Sequence, residues 1–160
     1  MCGAALSVGT NVEIKDIPGY SPLINNQQML EIYKQAVNTM LPEKEYYYNE
    51  RIGGGSTDMG DLCCIMPVIH PYASGATGNS HGSEYYITDP VAACVDSAKV
   101  QVAMLKLLLS NGAEQAKKII DEFVPIFASK EEYFNYIDAI NSSGDRIDYS
   151  NGINVSINVK

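Results

Sequence analysis

The sequence predicts an α/β fold, a layered sheet with flanking helices. Two observations carry this. The run Cys63 to Ile69 is continuously apolar and short enough for a strand buried on both faces. It lies between two amphipathic helices, over 27–41 and 90–110, and strands alternating with helices in this order form such layers.

Taken in order, Cys2 to Val8 is small and apolar, like the last turns of a helix closed by Gly9, so the chain looks cut into rather than begun. Thr10 to Ile17 alternates, with Val12, Ile14 and Ile17 set against polar neighbours, and Pro18-Gly19 ends this strand. Asn26 caps a helix whose inward positions are Met29, Leu30, Tyr33, Ala36, Val37 and Met40, and Pro42 stops it. Tyr46 to Arg51 is aromatic and strand-like, and a glycine run and the short segment Thr57 to Leu62 follow it. Asp89 caps and Pro90 opens the second helix, whose stripe is Val91, Cys94, Val95, Ala98, Val102, Leu105 and Leu109, with Asn111-Gly112 closing it. Beyond it, Ala116, Ile119, Ile120, Phe123 and Val124 keep the pattern as far as Pro125. Ser129 and Glu132 then form a capping box for a last helix with Tyr133, Tyr136, Ile137 and Ile140 inward. After Asn151-Gly152, a hairpin-type turn, residues 153–160 alternate as an edge strand or as one pairing with 145–149.

At 160 residues the chain has the length of one domain, and a net charge of -8 argues against a nucleic-acid footprint, which needs a basic face. No apolar run has the length of a membrane span and the first ten residues lack a secretory pattern, so a cytoplasmic location is expected. Cys2, Cys63, Cys64 and Cys94 show no C-x-x-C spacing and read as buried thiols.

Chemical information is concentrated between Ile52 and Tyr86. Gly53, Gly54 and Gly55 allow close backbone approach, and Ser56, Thr57 and Asp58 supply hydroxyls and a carboxylate. The stretch is not a P-loop, because no lysine occurs between Lys44 and Lys99, and Asp58 stands where a dinucleotide fingerprint needs its third glycine. His81 lies among Gly78-Asn79-Ser80 and Gly82-Ser83, a loop setting that favours a surface or site role, metal ligation among them. His70, followed by Pro71, reads as structural packing. Asp58 is either a helix cap or a site residue.

Gly-Gly-Gly-Ser-Thr-Asp-Met-Gly-Asp, an apolar run with Pro67, a glycine loop holding His81 and then a long helix together resemble the C-terminal half of the zinc-dependent amidohydrolases and metallopeptidases of the aminoacylase and aminobenzoyl-glutamate hydrolase type. Pro18-Gly19-Tyr20 resembles the exit from that family's lid or dimerisation domain, so residues 1–20 would be the residual end of that domain and 21–160 the C-terminal part of the catalytic domain. The resemblance implies a partial metallohydrolase domain whose parent uses zinc or another divalent metal to activate water against the amide of an N-acyl amino acid or short peptide. It makes His81 a metal ligand and gives Gly55, Ser56, Thr57 and Asp58 support and substrate contact. The family's remaining ligands and its general base come from a half that precedes the lid, so this chain alone is expected to be inactive. The partners implied are a small-molecule amide or peptide substrate, with no nucleic acid and no membrane, and homo-oligomer formation stays open. A non-catalytic interaction module that kept the fold is the alternative.

Overall fold

A computed structural model of the protein describes residues 1–44, 57–150 and 155–158. In chain order the elements are α1 (Cys2–Ser7), β1 (Glu13–Asp16), α2 (Gln27–Met40), α3 (Asp58–Cys63), β2 (Ala76–Thr77), β3 (Tyr86–Ile87), a π-helical turn Val91–Asp96, α4 (Ser97–Glu122), α5 (Lys130–Ile140), β4 (Ser142–Asp145), β5 (Ile147–Asp148) and β6 (Ser156–Ile157). Among the described residues the strands form three separate two-stranded antiparallel ribbons, β1–β4, β2–β3 and β5–β6. The fold is therefore mixed helix and strand, but the expected central strand is not there. Residues 63–69 instead hold the end of α3 and an irregular segment, with Cys63, Cys64 and Val68 buried and Met66 exposed. Apolar character alone does not separate a buried strand from the end of a buried helix, and Thr57 decides the matter by capping a helix that runs into the apolar run. The strand expected at Tyr46 to Arg51 lies outside the described residues.

The chain divides into two compact units, Tyr20–Ile126 and the pair of segments Met1–Gly19 and Phe127–Lys160. In the first unit α2 packs against α4. Asn26 accepts a hydrogen bond from the Met29 N–H at 3.0 Å, as its role as N-cap requires, and leaves α2 presenting Tyr33, Ala36 and Val37 to Val100, Ala103, Met104 and Leu107 of α4. Ala36 is completely buried and Val100 nearly so. Gln28 and Glu122 join the first turn of α2 to the last turn of α4 through a side-chain hydrogen bond.

The stripe expected to be the core face of the second helix is on the outside. Val102, Leu105 and Leu109 are 52%, 55% and 61% exposed, and Cys94 is exposed as well, unlike the buried thiols Cys63 and Cys64. The helix carries apolar residues on two faces, so its periodicity fits either, and α2 takes the face centred on Val100. At 110–113 α4 breaks as Asn111-Gly112 predicts, with Asn111, Gly112 and Ala113 all in the left-handed region, and then resumes.

In the other unit, β1 pairs with β4 from Glu13↔Asp145 to Asp16↔Ser142. Arg146, nearly buried, reaches Asp16 at 3.4 Å and the Ser142 hydroxyl at 3.0 Å. Pairing of the tail with 145–149 is realised as β5–β6, Ile147↔Ile157 and Asp148↔Ser156, while the Asn151-Gly152 turn lies outside the described residues. Ser129 caps α5 by accepting from the Glu132 N–H, and the Glu132 carboxylate accepts in return from the Ala128 N–H. None of the residues of α5 is buried: Tyr133 and Tyr136 gather around Phe127 at ring separations of 5.5 and 5.3 Å rather than entering a core.

At Gly60 the chain passes against the backbone of Ser21. A Cβ there would stand 1.7 Å from the Ser21 carbonyl oxygen, whereas at Gly3 it would meet nothing within 4 Å. Gly60→Ala is expected to cost at least the ~1–3 kcal/mol of an overpacked site, and Gly3→Ala to be neutral or mildly stabilising. Urea denaturation of the two variants checks this, and equal midpoints would refute the close contact.

Candidate functional site

Two places in the first unit hold the residues singled out by the sequence. One is the start of α3. The Thr57 hydroxyl accepts from the Met59 N–H at 3.2 Å, so the helix cap is Thr57, and Asp58 is the first helical residue. Asp58 is exposed and lies near Tyr20: the negative charge of Asp58, and then hydrogen bonding to it, push the Tyr20 hydroxyl above its ordinary value. Asp61, one turn on, accepts from the Ser21 N–H at 2.9 Å. The Cys63 sulfur accepts from the Ile24 N–H at 3.3 Å and donates to the Gly60 carbonyl at 2.9 Å. Burial pushes the Cys64 thiol up. Residues 21–24 are thereby fastened along α3, which brings Tyr20 to Asp58. Gly55 and Ser56 lie outside the described residues.

The other place is the hairpin β2–β3. Thr88 and Asp89 N–H groups both donate to the Gly75 carbonyl, at 2.9 and 3.0 Å, which closes the hairpin below its two ladder pairs. Its loop turns tightly through Gly82 N–H to the Asn79 carbonyl at 2.8 Å. His81 lies at this turn with φ +65°, a conformation in which histidine is enriched among non-glycine residues, and its side chain is exposed. Glu84 folds back over the loop. Its carboxylate is held below the ordinary range by its own backbone N–H and then by the Asn79 side-chain amide, which donates to it at 2.9 Å.

His70 stands apart from both. It is half-buried, its N–H donates to the Asn25 side chain at 2.9 Å, and its ring lies 5.3 Å from that of Tyr72. Its buried Nδ1 has no hydrogen-bond partner among the described residues.

Of the expected site residues, then, Thr57 is committed to a cap, Asp58 is exposed near Tyr20, and His81 is an exposed imidazole in a loop that also carries the ionised Glu84 carboxylate. Among the described residues no three His, Cys, Asp or Glu side chains converge as a metal cage. A catalytic zinc needs three protein ligands, so the described residues do not form a complete site. Nor is any helix of the described residues long and apolar enough to cross a membrane. Tyr20 has no signal that the sequence could have offered, since the contact with Asp58 is made by the folding of the intervening chain. Gly60 did offer one, a glycine inside a helical segment, which marks a close backbone approach.

No protein-family model, curated protein or solved structure matches this chain.

The Tyr20–Asp58 pair can be read directly. A tyrosine whose pKa is raised by a neighbouring carboxylate is stabilised in its neutral form, so the contribution of the pair is present below the unfolded pKa and is lost as pH rises through the folded one. Asp58→Asn is expected to bring the Tyr20 titration back toward 10.0. Absorbance titration of the wild type, Asp58→Asn and Tyr20→Phe checks it, and an unchanged phenol in Asp58→Asn would remove the pairing.

Proposed function

We propose that this chain is part of a metal-dependent amidohydrolase or peptidase acting on the amide bond of an N-acyl amino acid or short peptide, and that His81 contributes one ligand to a metal site completed by residues outside it. The observation that carries the reading is the order of the sequence signals: the glycine run with Ser-Thr-Asp, the apolar run with Pro67, the loop with His81 and the long helix that follows. The chemistry of the loop supports it. An exposed imidazole to which no described side chain is bonded is available to a cation, and an ionised carboxylate three residues on favours positive charge nearby. His70, by contrast, is half-buried, with its ring against Tyr72 and its Nδ1 turned away from solvent. A catalytic role is assigned to no residue of this chain, and zinc is the expected metal, with other divalent ions as alternatives.

A non-catalytic interaction module is the competing reading, favoured by the exposed apolar side of α4.

With only two histidines in the chain, their imidazole resonances can be followed one by one. Adding zinc to the isolated 160 residues is expected to shift His81 and leave His70 in place, with weak affinity and no hydrolysis of N-acetyl amino acids. In the polypeptide recovered from its native source, stoichiometric metal and chelator-sensitive amide hydrolysis are expected, both lost in His81→Ala and largely kept in His70→Ala. A native polypeptide without metal or turnover would overturn the hydrolase reading in favour of the module.

A further inference from the structure

The exposed side of α4 is a built surface of its own, independent of the hydrolase reading. Ala98, Val102, Leu105 and Leu109 follow one another along α4 at alternating spacings of four and three, the seam of a coiled-coil helix, and the exposed Val91 and Val95 extend the apolar strip into the π-helical turn before it. Valine stands at the a position Val102 and leucine at the d position Leu105. Val100, Ala103, Met104 and Leu107 occupy the far side of the helix, against α2, so the seam is a second apolar face and not the edge of the core. It is grooved on both sides of Val102: a groove of about 530 Å³ has Met40, Val95 and Ala98 in its walls, and one of about 320 Å³ runs between Val102, Leu105 and Leu109.

Charge around the seam is opposite to that of the chain. The whole protein carries 11 Lys and Arg against 19 Asp and Glu, yet Lys99 and Lys106 flank the seam at successive e positions, with their stems lining the grooves. Asp96, nearly buried, is shared between Lys99 at 3.4 Å and Lys44 at 3.9 Å. Two cations therefore share one carboxylate there, and Lys106 has no ion pair among the described residues.

We propose that this face docks an amphipathic helix of a separate protein, one with apolar residues at a and d and glutamate or aspartate alongside them, opposite Lys99 and Lys106. A second copy of the chain fits less well. Two antiparallel copies would set lysine against lysine, two parallel copies would set Lys99 and Lys106 against Cys94 and Gln101, and each copy brings a net charge of -8. The regular helix from Ser97 to Leu109 is also shorter than the three to four heptads of a self-sufficient coiled coil, so the seam depends on complementary charge for its selectivity.

The test uses two labelled three-heptad peptides with leucine at a and d, one carrying glutamate and the other lysine at e and g. Fluorescence anisotropy with the full chain is expected to show binding of the acidic peptide, roughly tenfold or more weakened by Lys99→Glu/Lys106→Glu and by raising the salt, and much weaker binding of the basic peptide. Val102→Asp, an exposed position whose variant should keep the wild-type circular dichroism, is expected to abolish binding. Failure of the acidic peptide to bind, or equal binding of both peptides, would overturn the proposal. So would a dimer in sedimentation that Val102→Asp converts to monomer, since a second copy would then own the face.

Discussion

The contact between α2 and α4 is the constraint on which the larger unit rests. It is made by small residues: Ala36 has no accessible surface, Val37 and Val100 are nearly buried, and no large side chain among the described residues is fully buried. An alanine at the closest point lets the two helices approach, but it contributes little apolar area of its own. Each buried valine supplies about 1.5–3 kcal/mol of transfer free energy, so the contact depends on being closed along its length. The half-buried Tyr33, Leu41, Met104 and Leu107 do this, and the Gln28–Glu122 hydrogen bond fastens one end. Burial raises the Tyr33 hydroxyl above its ordinary value, which keeps that side chain neutral where it packs.

Polar backbone rather than apolar packing holds the candidate site residues. Segment 21–24 has no strand to belong to, and α3 is a helix of six residues. The two secure one another through Asp61 to the Ser21 N–H, the Cys63 sulfur to the Ile24 N–H, and a glycine at 60 that lets the chains touch. The hairpin of His81 is held in the same way, by the Gly75 carbonyl at its base and by Asn79 and Glu84 at its loop. Gly78, at φ +91°, has the Glu84 carbonyl so close that a Cβ would come within 2.4 Å of it. The loop setting of His81 was legible from its glycines and polar neighbours; its left-handed backbone was not, because it follows from this closure.

Helices were read best where a chemical signal marked their ends. Asn26 and Pro42 bound α2, Asp89 begins the helical stretch that includes α4, with its carboxylate accepting from the Val91 and Ala92 N–H groups, and Ser129 begins α5. Reading failed where only apolar character was available. Residues 63–69 hold the last residue of α3 and an irregular segment instead of a strand, and the outward seam of α4 has the same period as its core face, so the pattern alone does not tell them apart. Strand β4, Ser-Ser-Gly-Asp, has the composition of a turn and is a strand only because β1 pairs with it. Nothing in its own residues announces that partner. The hairpin β2–β3 is as short, two ladder pairs closed from Gly75, and was likewise invisible as a pattern.

The division of the chain also bears on the order in which its parts can form during synthesis. Tyr20–Ile126 is continuous, and its helices can find one another as soon as that stretch has left the ribosome. Met1–Gly19 belongs to the other unit and has no ladder partner until Ser142–Asp145 has been made. Until then β1 is an unpaired edge with Ile14 uncovered, in a form that neighbouring nascent chains can pair with. Yield at low temperature or with chaperones in excess should depend on this waiting time more than on the stability of the finished protein.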